Sequence, residues 1–296
     1  MEQFILLLLF PLVGYLCGFF KIAKHDDYRL LTDLAFYVFL PCSVLSSFIG
    51  FEFSSSIVNS LVLVFLSLLC ISLISFAISR WLKFDNYSTS TFLMCSIFGN
   101  IIFLGLPLSE VLFGQSVSQI MNLFIAFHNL FIFGFLFPLI VLSTDKKHNI
   151  TSSIFRVLKN TVVSFALLGI VFSLLRVDLS GILPYLKSFS SLTTPISMIA
   201  LGLYFSKNVK IDFSKDVLLF TFSKIVVMPI MTYFVFFGNP YQKQAVFMSM
   251  MPVAISNFSI IGSISKKHEK KVLDSIFLST IISLLLVFLF KIIGFF

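Results

Sequence analysis

Residues 96–114 have the sequence Ser96-Ile-Phe-Gly-Asn-Ile-Ile-Phe-Leu-Gly-Leu-Pro-Leu-Ser-Glu-Val-Leu-Phe-Gly114. The stretch is apolar enough to lie in a bilayer, yet Gly99, Gly105 and Pro107 are poor residues for the interior of a helix. We therefore predict a membrane-spanning helix that breaks near Gly105 to Pro107. Backbone groups freed at membrane depth must be satisfied by protein or by a water-filled cavity, so a break beside the polar Asn100 indicates a buried site. A simple proline kink, which is common in membrane helices, is the alternative.

The composition is that of a protein with many membrane-spanning helices. Hydrophobic residues make up 58% of the 296 residues, charged residues make up 11%, and 40 residues are Phe. At roughly 20 residues for each span, such a chain has room for about ten helices. The formal charge of +8 falls in short clusters between apolar runs, which is typical of cytoplasmic loops. We therefore expect an all-α polytopic membrane protein that contacts the lipid bilayer and binds no nucleic acid.

Ten apolar runs follow one another along the chain, separated by charged or polar links. The first run has a single charge before it and no small-residue cleavage site after it, so we interpret it as a span and not as a cleaved signal peptide. The predicted spans cover about residues 1–20, 30–48, 57–79, 88–113, 120–142, 161–175, 186–205, 217–237, 244–263 and 273–296.

The longest polar stretch divides these spans into two groups of five. We predict a first five-helix repeat at residues 1–144, a cytoplasmic linker at residues 145–160, and a second five-helix repeat at residues 161–296. Because five is an odd number, two such repeats lie in the membrane with opposite orientations. The architecture predicted from the sequence is therefore a pair of inverted repeats.

Prolines recur at matching places in the two predicted repeats. Spans 2 and 7 contain Pro41 and Pro195, and spans 4 and 9 contain Pro107 and Pro252. Interrupted spans at matching places in inverted repeats indicate a transporter binding site near the bilayer midplane. A chance coincidence of prolines, which membrane helices accept freely, is the alternative.

The distribution of basic residues predicts the orientation of the chain. Of the 21 Lys and Arg, sixteen follow odd-numbered spans, four lie in the opposite loops or the C-terminal tail, and Lys224 lies inside span 8. Cytoplasmic loops carry the excess of Lys and Arg. We therefore expect an integral protein of the cytoplasmic (inner) membrane with both termini on the non-cytoplasmic side.

Several motifs resemble those of the auxin efflux carrier family of permeases, and in particular its bacterial organic-acid branch, which includes malate and malonate permeases. The segment Gly99-Asn-Ile-Ile-Phe-Leu-Gly-Leu-Pro107 resembles the family's fourth span. The resemblance covers essentially the whole chain. Its further motifs are Leu31–Ser46 with the core Phe39-Leu-Pro-Cys-Ser43, Thr194–Leu203, Met251-Pro-Val-Ala254 and Ser279-Thr-Ile-Ile-Ser283.

This resemblance implies a secondary transporter of a small organic anion that works by alternating access. It also implies two inverted five-helix repeats, with helices 4 and 9 broken and crossing at the substrate site. Ser256 and Asn257 stand where the family has small apolar residues, so the resemblance supports Asn257 less than Asn100. An anion channel that uses the same crossing as a filter is the alternative function. We expect no enzyme, because the spans contain no Gly-x-Ser-x-Gly turn with a paired His and no His-Glu-x-x-His motif.

The candidate substrate-binding residues combine polar groups inside the spans with residues that interrupt helices. Asn100 is able to donate its amide to a carboxylate, or alternatively to a neighbouring helix. His128 either relays a proton or is neutral and bonded to a neighbouring helix. Lys224 either extends to the lipid headgroups or faces inward and attracts an anion. The complete predicted set is Asn100, Gly105, Pro107, His128, Asn129, Lys224, Pro252 and Asn257, where Asn129 is supported by the family resemblance.

No Asp or Glu lies at the centre of spans 4, 5 or 9, so tight coupling to a cation has no obvious position, although proton symport through His128 or the substrate stays open. The four cysteines lie in apolar runs without metal-ligand spacing, and we expect no metal, disulfide or cofactor. A homodimer is left open. Weaker candidates for polar lining are Ser46, Thr193, Thr194, Ser197 and Ser256.

Overall fold

The computed structural model describes residues 2–24, 26–49, 54–114, 117–144, 161–206 and 212–295, so the predicted linker at 145–160 lies outside the described residues. Regular structure within these ranges is helical, and Gly99 and Val253 form an isolated antiparallel bridge. The α-helices are α1 (Glu2–Phe19), α2 (Asp27–Leu34), α3 (Leu40–Phe48), α4 (Ser55–Trp81), α5 (Asn86–Ile97), α6 (Leu106–Phe113), α7 (Ser118–Phe131), α8 (Phe137–Thr144), α9 (Thr161–Leu174), α10 (Leu183–Ser191), α11 (Thr193–Phe205), α12 (Lys215–Phe222), α13 (Met228–Val235), α14 (Gln242–Ser249), α15 (Ser256–Ile264) and α16 (Lys266–Ile292).

Six helical stretches among the described residues are long and apolar enough to cross a membrane. They coincide with predicted spans 2, 3, 5, 7, 8 and 10, which confirms an all-helical protein with several candidate membrane spans. The apolar helix Leu9–Phe19, in predicted span 1, is shorter, and spans 4 and 9 consist of shorter helical pieces. The total of ten spans and the inverted repeats stay predictions. The six stretches are Asp27–Ser46, Ser55–Trp81, Ile120–Thr144, Leu183–Phe205, Lys215–Val235 and Lys266–Ile292.

Four short π-helical stretches join consecutive α-helices, and each ends two residues before a proline. A proline has no N–H, so the carbonyl oxygen one turn earlier loses its α-helical partner, and a wider π turn shifts the hydrogen-bond register there. The helical path therefore continues through these prolines instead of breaking at them. The stretches are Ala35–Phe39 before Pro41, Ile101–Gly105 before Pro107, Ile132–Leu136 before Pro138, and Ser223–Val227 before Pro229.

The interruption in predicted span 4 lies earlier than the sequence predicted. Helix α5 ends at Ile97, residues 98–100 are not helical, and helical structure resumes at Ile101. Gly105 and Pro107 both lie in helical structure, and Pro107 is the second residue of α6. The predicted break at Gly105 to Pro107 is therefore wrong, because the wider π turn at Ile101–Gly105 accommodates the missing N–H of Pro107 and the helix continues through it.

Predicted span 9 is interrupted close to the expected position. Helix α14 ends at Ser249 and α15 begins at Ser256, so residues 250–255 connect the two helices. Pro252 lies within this connection.

The chain divides into two compact units, and each contains helices from both predicted repeats. Because this is a division by packing, the repeats at 1–144 and 161–296 stay a prediction. The first unit comprises Met1–Phe53, Ile102–Ala126 and Leu158–Ile211, and the second comprises Ser54–Ile101, Phe127–Val157 and Asp212–Phe296.

In the first unit, α1 and α11 approach each other so closely that only glycine fits at their contact. A methyl group on Gly14 would lie 2.0 Å from the carbonyl oxygen of Ile199, and one on Gly202 would lie 1.8 Å from the carbonyl oxygen of Pro11. Small residues spaced four apart, such as Gly14 and Gly18, allow this kind of backbone approach between membrane helices. The contact fixes α1 onto α11.

In the second unit, α5 is buried on all sides. It packs against α4, α8, α12, α15 and α16, and every residue from Thr89 to Ile97 is buried. A helix without an exposed face is expected to show no amphipathic pattern, and its sequence is apolar or weakly polar all round. The packing of α5 therefore positions its C-terminal end, and with it residues 98–100, in the interior of this unit.

Candidate functional site

The two interruptions pair with each other inside the second unit. The backbone N–H of Asn100 donates to the carbonyl oxygen of Pro252 over 2.7 Å, and the N–H of Ala254 donates to that of Phe98 over 2.9 Å. These bonds flank the bridge between Gly99 and Val253. Unpaired backbone groups are unfavourable in a membrane interior, so each interruption stabilises the other. We call residues 98–100 and 250–255 the paired segments.

Two serines of α16 bond further backbone groups of the paired segments. The hydroxyl of Ser283 donates to the carbonyl oxygen of Met250 over 2.7 Å, and that of Ser279 accepts from the N–H of Val253 over 3.0 Å. The sequence resemblance included both serines, but our prediction gave them no role. The two serines are four residues apart and therefore lie on one face of a helix. This spacing in the sequence could have predicted that they bind a common partner.

Asn257 holds the paired segments to α5 through its side chain. The amide Nδ2 donates to the carbonyl oxygens of Met94 and Phe98 over 3.1 and 3.3 Å. These carbonyls lie at the C-terminal end of α5, where Met94 also accepts from the N–H of Phe98 and Phe98 from that of Ala254, so the amide adds a second bond to each. The side chain of Asn257 is fully buried. Its donors are thus engaged by the protein, which favours a role in holding the helices together.

Asn100 is also buried, with an exposed fraction of 2%, and its side-chain oxygen resembles that of Asn257, which lacks a hydrogen-bond partner among the described residues. The Oδ1 atom has no hydrogen-bond partner among the described residues. Its backbone, in contrast, is fixed by the bond to Pro252. A buried polar atom without a partner is unfavourable, so this amide is suited to a partner from outside the protein chain.

His128 binds the end of α5 from α7. Its Nε2 atom lies 3.1 Å from the carbonyl oxygen of Ile97, and its ring lies against Phe98 with centroids 5.8 Å apart. A carbonyl only accepts, so Nε2 carries the hydrogen and Nδ1 is left without a partner among the described residues. The next residue, Asn129, is buried, and both polar atoms of its side chain lack partners within the described structure.

Lys224 faces the interior of the unit and does not extend to a surface, since its exposed fraction is 0%. Its Nζ atom donates to the carbonyl oxygen of Ser249 over 3.2 Å and to the sulfur of Met228 over 2.9 Å. Ser249 is the last residue of α14, so the amine lies at the negative end of that helix. A methyl group on Gly99 would lie only 2.8 Å from Nζ, which places the amine against the paired segments.

The structure thus brings together part of the predicted set. The side chain or backbone of five predicted residues contacts the paired segments or the helix ends beside them: Asn100, His128, Lys224, Pro252 and Asn257. Asn129 follows His128 on α7. Gly105 and Pro107 belong to the first unit, where they lie at the end of a π-helical stretch and at the start of α6.

The first unit contains a pocket of 260 Å³ that the sequence did not predict as a site. The weaker candidate Thr193 lies in its wall, and the hydroxyl of this buried residue has no partner among the described residues. The pocket is lined by Ser43, Ile102, Leu106, Glu110, Lys187, Ser190, Ser191 and Thr193.

Comparison with known proteins identifies the family. Residues 1–291 match the family described as membrane transport protein. The chain belongs to the auxin efflux carrier family. An uncharacterised transporter of Methanocaldococcus jannaschii is 24% identical over 307 residues, an alignment that covers 97% of this chain and 96% of that protein. The resemblance seen in the sequence is confirmed, and the paired segments belong to an auxin efflux carrier family protein.

The chemistry available at the paired segments of this auxin efflux carrier family protein is that of binding. The side chains there are amides, an imidazole, an amine and hydroxyls, and no cluster of three His, Cys, Asp or Glu able to hold a metal occurs among the described residues. Such groups form hydrogen bonds, and the amine and the imidazole carry positive charge when they are protonated. They suit a polar or anionic solute.

Proposed function

We propose that this protein is a secondary transporter of a small organic anion with a carboxylate group, which binds at the paired segments and crosses the membrane by alternating access. Family membership supports a membrane transporter. The observation that carries the substrate class is Lys224, a fully buried amine beside Gly99 that forms no ion pair with a carboxylate among the described residues. A buried amine without a countercharge holds a positive charge most easily when an anion lies beside it, so it favours an anionic ligand.

The backbone around the paired segments adds to the attraction of an anion. Helical structure begins at Ile101 after the first interruption and at Ser256 after the second. The N-terminal end of a helix carries a partial positive charge and free N–H groups. In transporters with interrupted helices these ends point at anionic substrate groups. The amides of Asn100 and Asn129 supply directional hydrogen bonds for the same ligand.

In this proposal the paired segments are the crossing of broken helices 4 and 9 in two inverted five-helix repeats. The protein lies in the inner membrane with both termini outside the cytoplasm and performs no covalent chemistry. A small organic anion and the bilayer are its partners, and a homodimer is compatible with this arrangement.

The proposal is tested by transport into proteoliposomes. We expect uptake of at least one of ¹⁴C-labelled malate, malonate or indole-3-acetate to saturate with concentration and to exchange with unlabelled acid inside the vesicle. Replacing Asn100 with Ala removes a ligand amide and raises the Kd of the transported acid by about tenfold, equivalent to about 1.4 kcal/mol.

The matched control is Asn86→Ala. Asn86 is exposed at the start of α5, where its amide donates to the carbonyl oxygen of Ser143. Because Asn86 lies outside the paired segments, we expect its replacement to leave transport unchanged. If the wild-type protein moves none of these acids, the proposed function is wrong. Flux that never saturates and shows no exchange would instead indicate an anion channel.

A further inference from the structure

The nitrogen of Lys224 has two hydrogen-bond acceptors among the described residues, and both are neutral. They are the carbonyl oxygen of Ser249 and the sulfur of Met228. A protonated ammonium has three N–H donors, whereas the neutral amine has two. The surroundings of Lys224 therefore provide as many acceptors as the neutral amine needs and leave one donor of the ammonium without a partner.

Charge leads to the same conclusion as donor counting. Moving an ammonium out of water without a countercharge is strongly unfavourable, and the common response of a buried lysine is to lose its proton. A carboxylate that arrives nearby reverses this balance, because it supplies both a negative charge and a third acceptor. Binding of an anion and binding of a proton therefore favour each other at this residue.

We propose that Lys224 takes up one proton when the organic anion binds, so that the transporter moves anion and proton together in a ratio of one to one. This inference rests on the proposed function. The proton comes from water on the side from which the anion enters and forms the third N–H bond of Lys224. It returns to water on the opposite side after the anion leaves, and no bond within the anion changes.

The titratable groups around Lys224 leave it without a permanent countercharge. The carboxylates Asp216 and Asp274 lie toward the N-terminal ends of α12 and α16, where they pair with Lys271 and Lys270. Asp216 precedes Lys224 by eight residues, a helical rise of about 12 Å. The other titratable residues lie on the helical stretch that contains Lys224, on the elements packed against it, or, for His128, on α7. They are Lys215, Asp216, Tyr233, Cys70, Arg80, Tyr87, Cys95, Lys243, Lys266, Lys267, His268, Glu269, Lys270, Lys271, Asp274, Lys291 and His128.

The first experiment uses the purified wild-type protein and needs no variant. Binding of malonate, or of malate if malonate is not bound, is measured by titration calorimetry in phosphate and in Tris at the same pH. Proton uptake makes the observed enthalpy depend on the ionisation enthalpy of the buffer. We expect about one proton for each anion at pH values where the amine of Lys224 is neutral before the anion binds. In that pH range the Kd of the anion rises about tenfold for each pH unit. Equal enthalpies in the two buffers at every pH would overturn the inference.

Two variants assign the proton to Lys224. Arg stays charged at any accessible pH, so Lys224→Arg binds the acid without taking up a proton. Lys224→Met has no charge, binds at least tenfold more weakly and takes up no proton. Lys215→Gln removes an exposed amine at the start of the same helix and behaves like the wild type.

His128 is the competing proton acceptor and is tested directly. If proton uptake persists in Lys224→Arg and disappears in His128→Gln, the proton binds to His128 and the inference is wrong. Thermal melting of each variant identifies one that fails to fold, in which case the remaining Lys224 variant and His128→Gln decide which residue takes up the proton. Absence of any acid binding by the wild type overturns the proposed function together with this inference, whereas binding without proton uptake overturns this inference alone.

Discussion

Asn100 and Asn257 are both buried amides at the paired segments, but their hydrogen bonds give them different roles. The Oδ1 atoms of both residues have no partner in the described structure, but the Nδ2 group of Asn257 also bonds two carbonyls at the end of α5. Donors that bond backbone carbonyls stabilise the fold, so Asn257 has the structural role that the bonds of its Nδ2 group give it, and an acceptor without a partner is available to a ligand or to water. Substitution of the two residues should therefore separate stability from binding.

We predict that Asn257→Ala lowers the free energy of unfolding by about 1–3 kcal/mol, because two buried carbonyls each lose one of their two hydrogen bonds. The measurement is thermal melting in detergent. The control, Asn86→Ala, removes an exposed amide that also donates to a carbonyl, and it should change stability by less than about 0.5 kcal/mol. Equal losses in the two variants would show that the bonds of Asn257 contribute nothing specific.

A second prediction concerns the contact between Gly99 and Lys224. A methyl group at position 99 would lie 2.8 Å from Nζ and 3.0 Å from Cε of Lys224. These atoms are the end of a flexible side chain, so Gly99→Ala should displace the amine with a small effect on the melting temperature. We expect the Kd of the transported acid to rise about tenfold, equivalent to about 1.4 kcal/mol. The control is Gly181→Ala, where a methyl group meets open space; unchanged binding in Gly99→Ala would contradict the prediction.

The sequence predicted which polar residues lie in the spans, but not how they are used. The sequence allows two positions for the amine of Lys224, at the lipid headgroups or in the interior of the protein. Which one it occupies depends on which face of the helix packs inward. The structure resolves this by burying it against Gly99 and Ser249. The same limit applies to Ser279 and Ser283, whose partners lie about thirty residues away along the chain and depend on the position of α16.

At the scale of helices, the sequence located the interruption of span 9 and misplaced that of span 4. Proline was the signal in both cases. Pro107 lies in a helical segment because the π-helical stretch Ile101–Gly105 adjusts the hydrogen-bond register ahead of it. The interruption occurs instead at Gly99, where the backbone pairs with Val253. A pairing between distant segments has no signature in the local sequence, so only tertiary structure determines the position.

The contact between α1 and α11 gives a prediction about helix packing. The methyl group of Gly202→Ala would lie 1.8 Å from the backbone carbonyl oxygen of Pro11, which has no side-chain freedom to move away. We expect a loss of about 3 kcal/mol or more, or failure to fold, as seen when well-packed sites are overfilled. The control is Gly134→Ala, where the nearest atom lies 3.6 Å away, in ordinary contact. Thermal melting and size-exclusion chromatography check both variants, and equal behaviour would show that α1 separates easily from α11.

The N-terminal end of α5 gives a pH-dependent prediction. Hydrogen bonds from the hydroxyl and the backbone N–H of Ser88 lower the pKa of the Asp85 carboxyl below its ordinary value. A lowered pKa in the folded state means that this stabilisation is present above the unfolded pKa, about 3.9, and is lost as the pH falls through the folded pKa. Asp85→Ala should therefore lower stability by about 1 kcal/mol at neutral pH, and the difference from wild type should shrink below about pH 4.

Asp85→Asn is the control for this helix cap. Asn caps helices about as well as Asp but does not titrate, so this variant should keep its stability at neutral pH and lose the acid-dependent part. Melting curves at several pH values measure both effects. A difference between Asp85→Ala and wild type that is independent of pH would contradict the assignment of the cap to the ionised carboxyl.

For the whole molecule, continuous apolar runs predicted the candidate membrane helices, and motifs predicted the family. The six candidate membrane helices coincide with predicted spans 2, 3, 5, 7, 8 and 10, because a continuous apolar run of sufficient length has few alternatives to a membrane helix. Spans 4 and 9 do not meet the requirement for a continuous helix of that length, because each consists of shorter pieces. The division into two units mixes helices of both predicted repeats, which the order of the sequence alone does not reveal.

The orientation of the chain gives the last prediction. Lys and Arg are concentrated in the loops after odd-numbered spans, which predicts that the loop before α5 is cytoplasmic and the loop before α10 is not. Three predicted spans, 4, 5 and 6, separate the two loops. In a cysteine-free background, Asn86→Cys and Ser180→Cys place single exposed thiols in these loops. A membrane-impermeant maleimide should label Ser180→Cys in right-side-out vesicles and Asn86→Cys only in inside-out vesicles. Labelling of both from the same side would require an even number of crossings between them, which contradicts the prediction that spans 4, 5 and 6 each cross the membrane once.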